Sequence, residues 1–359
     1  MILANLGYGA SFHLTFTHKK RPFTFLQSCL SSVVRNLRSI LLTGGAGFIG
    51  SALARHLMRT EELERLVVVD KLSSGGRRGN LIGPDQDPRF VFVEGDIHDP
   101  DLIPGLLQDH KVTGVFNLAA DTDSETSQSS TVDLAVANVL GTARVLDQCS
   151  AAGVPLLQCS TSKVYGTVSP PGRSVEINPL KPLAPTAACK ASADLLCLAA
   201  AHDRKQDVVI TRGSDTYGPR QDSRKMIPRW TRAAFREQPL AIEGEGTQIR
   251  DWIHVDDHCH GMIAAFRRGH SGSVYLLGGQ CERTDIGIAR SILETLEKPS
   301  SLISLQPEVE TNAAPARRYA VDFSKARAGL DWRPKERFRT SFPLVVNEIA
   351  GNLRGSISD

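Results

Sequence analysis

Residues 40–50 read Ile40-Leu41-Leu42-Thr43-Gly44-Gly45-Ala46-Gly47-Phe48-Ile49-Gly50. An apolar run stops at a glycine turn, and apolar residues then recur at Ile49, Leu53 and Leu57, the spacing of one helix face. In that strand–turn–helix setting, Gly44, Gly47 and Gly50 have the Gly-x-x-Gly-x-x-Gly spacing of a dinucleotide site. The three glycines permit a tight turn, close approach of the backbone to a pyrophosphate and close helix packing. A merely structural turn is the competing reading, and the flanking strand and helix argue against it. The turn makes Gly44, Gly47, Phe48, Ile49 and Gly50 cofactor candidates.

Working outward, further short apolar runs predict strands at 66–69, 90–93, 115–118, 156–159 and 208–211, with helices at 51–59, 132–150 and 190–202. Nearly continuous apolar strands are those covered on both faces, as in a parallel sheet between helix layers. The predicted fold is therefore α/β, a doubly wound parallel sheet of Rossmann type with a smaller C-terminal substrate-binding lobe. The expected division is a leader over 1–37, an NAD-binding domain over 38–212 with a return segment near 253–280, and a lobe from 213–252 and 281–359. No internal repeat or low-complexity tract interrupts it.

Asp70 ends the second strand, 20 residues after Gly50, where a carboxylate accepts hydrogen bonds from the adenosine ribose and repels a 2′-phosphate. NAD is thus expected rather than NADP. Arg77 and Arg78 are either counterions for a phosphate or solvated loop residues. Asp96 and Ile97 end the third strand, at an adenine contact or a plain turn.

Composition narrows the classes. Formal net charge is +3, with both signs mixed, so nothing points to nucleic acid. Seven scattered cysteines lack Cys-x-x-Cys or Cys/His zinc spacing, which indicates reduced thiols and no metal. No apolar stretch approaches the roughly 20 residues that span a bilayer. Residues 1–38 contain no Asp or Glu and five Lys or Arg. An organelle transit peptide and an over-extended or disordered start both fit that leader; without targeting, a cytoplasmic protein is expected.

Beyond the glycine turn the chain contains Asn117-Leu118-Ala119-Ala120, Ser160-Thr161, Val164-Tyr165-Gly166, Lys190-Ala191-Ser192, Tyr217-Gly218-Pro219, Lys225-Met226-Ile227-Pro228, Gln248-Ile249-Arg250-Asp251-Trp252, Val255-Asp256-Asp257 and Arg317-Arg318-Tyr319. With these ordered motifs the sequence, from about Arg38 to Pro334, resembles the extended short-chain dehydrogenases/reductases of the NAD-dependent epimerase/dehydratase family, and among them the dTDP-glucose 4,6-dehydratase group. The resemblance implies NAD as an internal hydride store and a nucleoside-diphosphate sugar held between sheet and lobe. It adds Leu118, Ala119 and Ala120 to the cofactor wall. It implies a homodimer through paired helices like those containing Val139–Leu146 and Lys190–Leu198.

The resemblance also implies a catalytic Thr or Ser, Tyr and Lys, with the Lys holding the nicotinamide ribose and lowering the Tyr pKa. Thr161 and Lys190 occupy two of these positions, but the Tyr position, four residues before Lys190, is Thr186. An alkyl hydroxyl, taken as water-like at ~15.7, is roughly 5 pKa units or about 7 kcal/mol poorer as an acid than a phenol. The Asp-Glu pair implied for elimination reads Ser162-Lys163. Lys163 is either a desolvated base or a solvated or phosphate-binding lysine; it and Tyr165 are the first candidates for a recruited base. Lys225, Arg250 and Arg318 match family positions near the substrate diphosphate or nucleotide, with surface salt bridges as the alternative. Asp215 stands where the family has an Asn, and its carboxylate would oppose a diphosphate.

Three functions fit these residues. The leading one is an NAD-binding epimerase/dehydratase-like enzyme with altered chemistry. The others are a catalytically silent NAD- or ligand-binding protein, and a non-redox lyase or isomerase with structural NAD.

Overall fold

The computed structural model describes residues 34–73, 75–122, 130–307 and 317–355. Most of the leader, 1–33, lies outside the described residues. Six strands follow from the apolar runs: β1 (Ser39–Thr43), β2 (Arg65–Asp70), β3 (Phe90–Glu94), β4 (Gly114–Asn117), β5 (Leu156–Thr161) and β6 (Val208–Gly213). Beyond them come β7 (Asp215–Tyr217), β8 (Leu240–Glu243) and β9 (Ile249–His254), then β10 (Ser273–Leu277), β11 (Glu282–Thr284), β12 (Ile303–Gln306) and β13 (Arg318–Tyr319). The main sheet is parallel, in the order β10-β6-β5-β4-β1-β2-β3. Its seventh strand, β10, comes from the return segment. Every residue of β1 and β6 is buried, as double coverage requires.

The helices are α1 (Phe48–Met58), α2 (Leu102–Asp109), α3 (Thr131–Ala135), α4 (Gly141–Ala152), α5 (Pro185–Asp203), α6 (Met226–Phe235), α7 (Val255–Arg268), α8 (Asp285–Thr295), α9 (Ser324–Leu330) and α10 (Phe338–Gly355). Separate apolar clusters fill the two sides of the sheet, one joining β1 to α1 and α7, the other joining alternate strand residues to α2, α4 and α5. The helix expected over 132–150 is divided by a π-turn at Val136–Leu140. The turn carries buried Asn138, which accepts from Asp121 N at 3.1 Å and donates to Asp121 O at 2.9 Å, tying down the chain after β4. Helix α5 begins earlier than periodicity suggested, because Pro185 suits a first helical turn.

The smaller lobe contains β9 flanked by β11 and β13, with β7 also paired to β9, and a β8–β12 ladder; α6, α8 and α10 share a third core. Two expected boundaries shift. Leu37 is fully buried in the main core and Arg35 donates from Nε to Asp207 at 2.7 Å, so packing begins before Arg38. Phe323, Ala326, Leu330 and Trp332, placed in the lobe from sequence, pack instead in the NAD-domain core. Among the described residues no helix is long and apolar enough to cross a membrane.

Candidate functional site

A cleft of about 650 Å³ opens at the carboxyl ends of β1, β2, β4, β5 and β6 and is closed by the lobe, the position where open α/β sheets bind ligands. Its first wall is the glycine turn. Gly44 has φ +67°, and a Cβ there would lie 2.6 Å from Ala119 N; a Cβ on Gly50 would lie 2.2 Å from Gly44 O. These two glycines are required by packing. Gly47 differs: a Cβ would meet only Gly44 O, at 3.3 Å, and otherwise point into open space. Gly47 is also the N-cap of α1, with no side-chain cap and no acidic residue in the first turn. Uncapped amide donors beside open space suit an anion such as a pyrophosphate.

Asp70 is buried at the cleft wall, its carboxylate accepting from Ala46 N and Leu72 N, both at 2.9 Å. Burial raises its pKa while these amides oppose the rise. Arg78 stacks over Phe92, 4.0 Å from the ring centroid, and neither it nor Arg77 lines the cleft. Asp96 and Ile97 do line it; Asp96 is held by His98 Nδ1 at 2.8 Å and Lys71 Nζ at 3.4 Å. Burial works against the Asp96 charge, but the His98 backbone N–H at 3.0 Å, the His98 ring and Lys71 hold its carboxyl below the usual range. Phe48, Ile49, Leu118, Ala119 and Ala120 complete this wall. The residues present fit a dinucleotide.

At the other end, β5 delivers Thr161 and a short turn after it delivers Lys163, while the first turns of α5 deliver Thr186 and Lys190. Positions 186 and 190 are one helical turn apart and share a face. Lys190 is partly buried, donates to Cys159 O at 3.0 Å, and has its pKa lowered by burial. Thr161 Oγ1 accepts from Lys163 N at 3.2 Å.

Lys163 Nζ is 3.1 Å from Asp215 Oδ1, and Arg250 lies 3.9 Å from Asp215 Oδ2 and, through Nε, 3.0 Å from Asp285. Burial acts to raise the Asp215 pKa, yet Lys163 and Arg250 outweigh it and hold the carboxyl below its ordinary value. The negative charge expected to oppose a diphosphate is therefore matched within the protein. Lys225 also lines the cleft and donates to Thr122 O at 3.0 Å.

Two predicted site residues are not brought to the cleft. Ser162 is buried off the wall, because the turn that projects Lys163 inward sends its neighbour away. Arg318 is buried against Glu282 at 2.7 Å and the Gly172 carbonyl at 2.7 Å. Tyr165, named with Lys163 as a candidate base, lies off the wall, receives a 2.5 Å hydrogen bond from Arg212, and has its pKa raised by burial. His258, which the sequence reading did not select, faces the cleft from α7. Burial lowers its pKa to about 4, and its Nδ1 lies 3.0 Å from Thr216 Oγ1. Its neighbours Val255 and Met262 are buried on the same helix, and helical spacing from those positions was the available signal.

A profile of the NAD dependent epimerase/dehydratase family matches residues 40–278. A dTDP-glucose 4,6-dehydratase from Actinoplanes sp. is 39% identical over 313 residues, covering 86% of this chain and 96% of that one. Among solved structures, the dTDP-glucose 4,6-dehydratase of Streptomyces venezuelae with NAD and TYD bound superposes with a TM-score of 0.83 at 32% identity, covering 88% of this chain and 98% of that one. The UDP-glucuronic acid 4-epimerase of Bacillus cereus, in complex with UDP-glucuronic acid and NAD, superposes with a TM-score of 0.80 at 28% identity, covering 88% and 99%.

Proposed function

The chain belongs to the NAD dependent epimerase/dehydratase family, and from that premise we propose that it binds NAD and a nucleoside-diphosphate sugar in this cleft but does not carry out 4,6-dehydration. The observation that carries this reading is the contrast along one cleft wall: a glycine turn and Asp70 suited to a dinucleotide at one end, Thr186 and Lys163 at the other.

NAD, when bound, supplies a hydride acceptor and donor. The chain's own residues supply the rest. The amides after Gly47 hold phosphate oxygens, and Asp70 accepts from ribose hydroxyls. Lys190, which lines the cleft and donates to Cys159 O, would hold the nicotinamide ribose. Lys225 and Arg250 are the cations for the diphosphate. Thr161 and Thr186 offer hydroxyls near the reacting sugar, and neither is a base of phenolate strength. Lys163, paired with Asp215, does not stand in for a carboxylate that removes a proton beside a ketone.

Thr186 also favours a second reading, a protein that holds both ligands without turnover. In either case a second copy of the chain fits the exposed apolar side chains on neighbouring helices, with Val132 70% and Leu195 57% exposed on α3 and α5. The test is NMR of dTDP-glucose incubated with NAD-saturated protein. No 4-keto-6-deoxy sugar is expected, and its efficient formation would overturn the proposal.

A further inference from the structure

Two side chains beside the reaction end of the cleft are buried and carry unpartnered polar atoms. His258, 2% exposed on α7, and Ser214, 7% exposed just after β6, both line the cleft. Neither His258 Nε2 nor Ser214 Oγ has a hydrogen-bond partner among the described residues, and a buried polar group left so costs about 1–3 kcal/mol. The His258 tautomer follows from its other nitrogen. Thr216 Oγ1 donates to Ser214 O at 3.1 Å and also lies 3.0 Å from His258 Nδ1. A hydroxyl has a single proton, so with that proton on the carbonyl, Nδ1 carries the ring hydrogen and Nε2 presents a lone pair. Burial lowers the His258 pKa to about 4, so the ring is neutral near pH 7 and Nε2 stays an acceptor. The Ser214 hydroxyl can donate. The two residues are close: a Cβ on Gly213, the residue before Ser214, would lie 2.5 Å from His258 Nε2. Gly213 pairs with Thr161 in the β5–β6 register. The acceptor and the donor therefore lie one strand beyond Thr161, at the end of the line that runs from Asp70 on β2 across β1 and β4 to β5.

We propose that His258 and Ser214 form a subsite for the carboxamide of the nicotinamide ring, with His258 Nε2 accepting its N–H and Ser214 Oγ donating to its carbonyl. This rests on the NAD reading above. A carboxamide presents an acceptor and a donor side by side, the complement of this donor and this acceptor. Holding it stops the ring from turning about its glycosidic bond, so one ring face is kept toward Thr161 and Thr186.

The test is calorimetric titration of the full-length protein with three ligands: NAD, acetylpyridine adenine dinucleotide, whose methyl ketone keeps the carbonyl but has no N–H, and ADP-ribose, which has no ring. Wild type is expected to bind NAD roughly ten-fold more tightly than the acetyl analogue, the scale of one hydrogen bond whose loss leaves a buried acceptor unpaired. His258→Asn, whose amide can replace the Nδ1 donor but not Nε2, is expected to abolish that preference. His258→Gln, whose longer amide reaches the Nε2 position, is expected to restore part of it. Ser214→Ala is expected to weaken both dinucleotides by a similar factor and leave their ratio unchanged. ADP-ribose should bind every variant as it binds wild type; a matching loss there would make the His258 effect structural and overturn the proposal. A wild type that does not distinguish the two dinucleotides overturns it as well, as does a preference that survives His258→Asn. Titration of dTDP-glucose and UDP-glucose onto NAD-saturated wild type and His258→Asn covers the other donor that could reach Nε2, a sugar hydroxyl. A loss confined to the sugar nucleotides would assign Nε2 to the sugar and overturn the proposal. Failure of ADP-ribose to bind wild type defeats the NAD reading itself, and the proposal with it.

Discussion

The two ends of the cleft are built from the same kind of scaffold, strand ends facing helix N-termini, yet they differ in what fixes their residues. At the cofactor end, backbone geometry leaves little choice: a Cβ on Gly44 would lie 2.6 Å from the backbone after β4, and one on Gly50 would lie 2.2 Å from the backbone of the same turn. At the substrate end, side chains on the turn after β5, on α5 and on β7 line open space. Among them, Lys163 and Asp215 are held by an ion pair with each other rather than by overlap with the main chain. Chemistry on such a scaffold changes through the second set while the first stays in place.

The sharpest break of this contrast is at the glycines. Gly44→Ala is expected to cost on the order of 3 kcal/mol through backbone overlap and a left-handed φ, and to abolish NAD binding. Gly47→Ala should leave thermal stability nearly unchanged and weaken NAD alone, because its methyl enters the space where the ligand approaches. Chemical denaturation combined with NAD titration separates the two; equal destabilisation would remove the distinction between packing and approach glycines.

Next in size is the ion pair. Lys163→Glu would set two carboxylates against each other beside Arg250 and is expected to destabilise by about 1–3 kcal/mol, discounted for the partial exposure of Lys163. Adding Asp215→Asn should recover most of that loss. A double-mutant cycle showing additive effects would mean the two positions changed independently.

Asp70→Asn is expected to weaken NAD by about ten-fold and to narrow its advantage over NADP, since one hydrogen-bonded charge contributes roughly that much. Unchanged discrimination would remove Asp70 from the ribose site.

A pH slope is expected from Asp251, behind the substrate end on β9. Burial raises its pKa to about 7, opposed by the 2.7 Å hydrogen bond from Cys281 N. A folded-state pKa above the unfolded value means the fold retains the proton. Its contribution is full below about pH 4, declines as pH rises toward 7, and is flat above that. Asp251→Asn should remove this slope in denaturation midpoints measured from pH 4 to 8; a wild-type curve of identical slope would contradict the assignment.

Much of the cofactor end was legible in the sequence because its signals are local. The run from Ile40 to Gly50, the strand ending at Asp70 and the spacing between them each occupy a short window, and doubly covered strands are apolar at nearly every position. The substrate end was legible as a set of residue types but not as an arrangement. Asp215 read alone is a carboxylate opposing a phosphate, and Lys163 read alone is a lone lysine; only tertiary structure joins them. Arg318 matched a motif, yet Glu282 and the Gly172 carbonyl hold it away from the cleft. Ser162 and Lys163 are adjacent in sequence, and a single tight turn sends one into the core and the other into the cleft. Leu37 shows the converse error, since leader-like composition extended past the point where the chain joins the core.

The central claim, that the cofactor end is kept and the proton-moving group is lost at position 186, is tested most directly by single-turnover absorbance of reduced cofactor. Wild type and Thr186→Tyr are each saturated with NAD and with whichever sugar nucleotide the titrations show to bind. The wild type is expected to show no reduction. In Thr186→Tyr, a phenol one turn before Lys190, its pKa lowered by the ammonium, is expected to give detectable reduction of bound NAD. Reduction in the wild type at a rate matching the variant would contradict the claim, as would a variant that binds both ligands and stays silent.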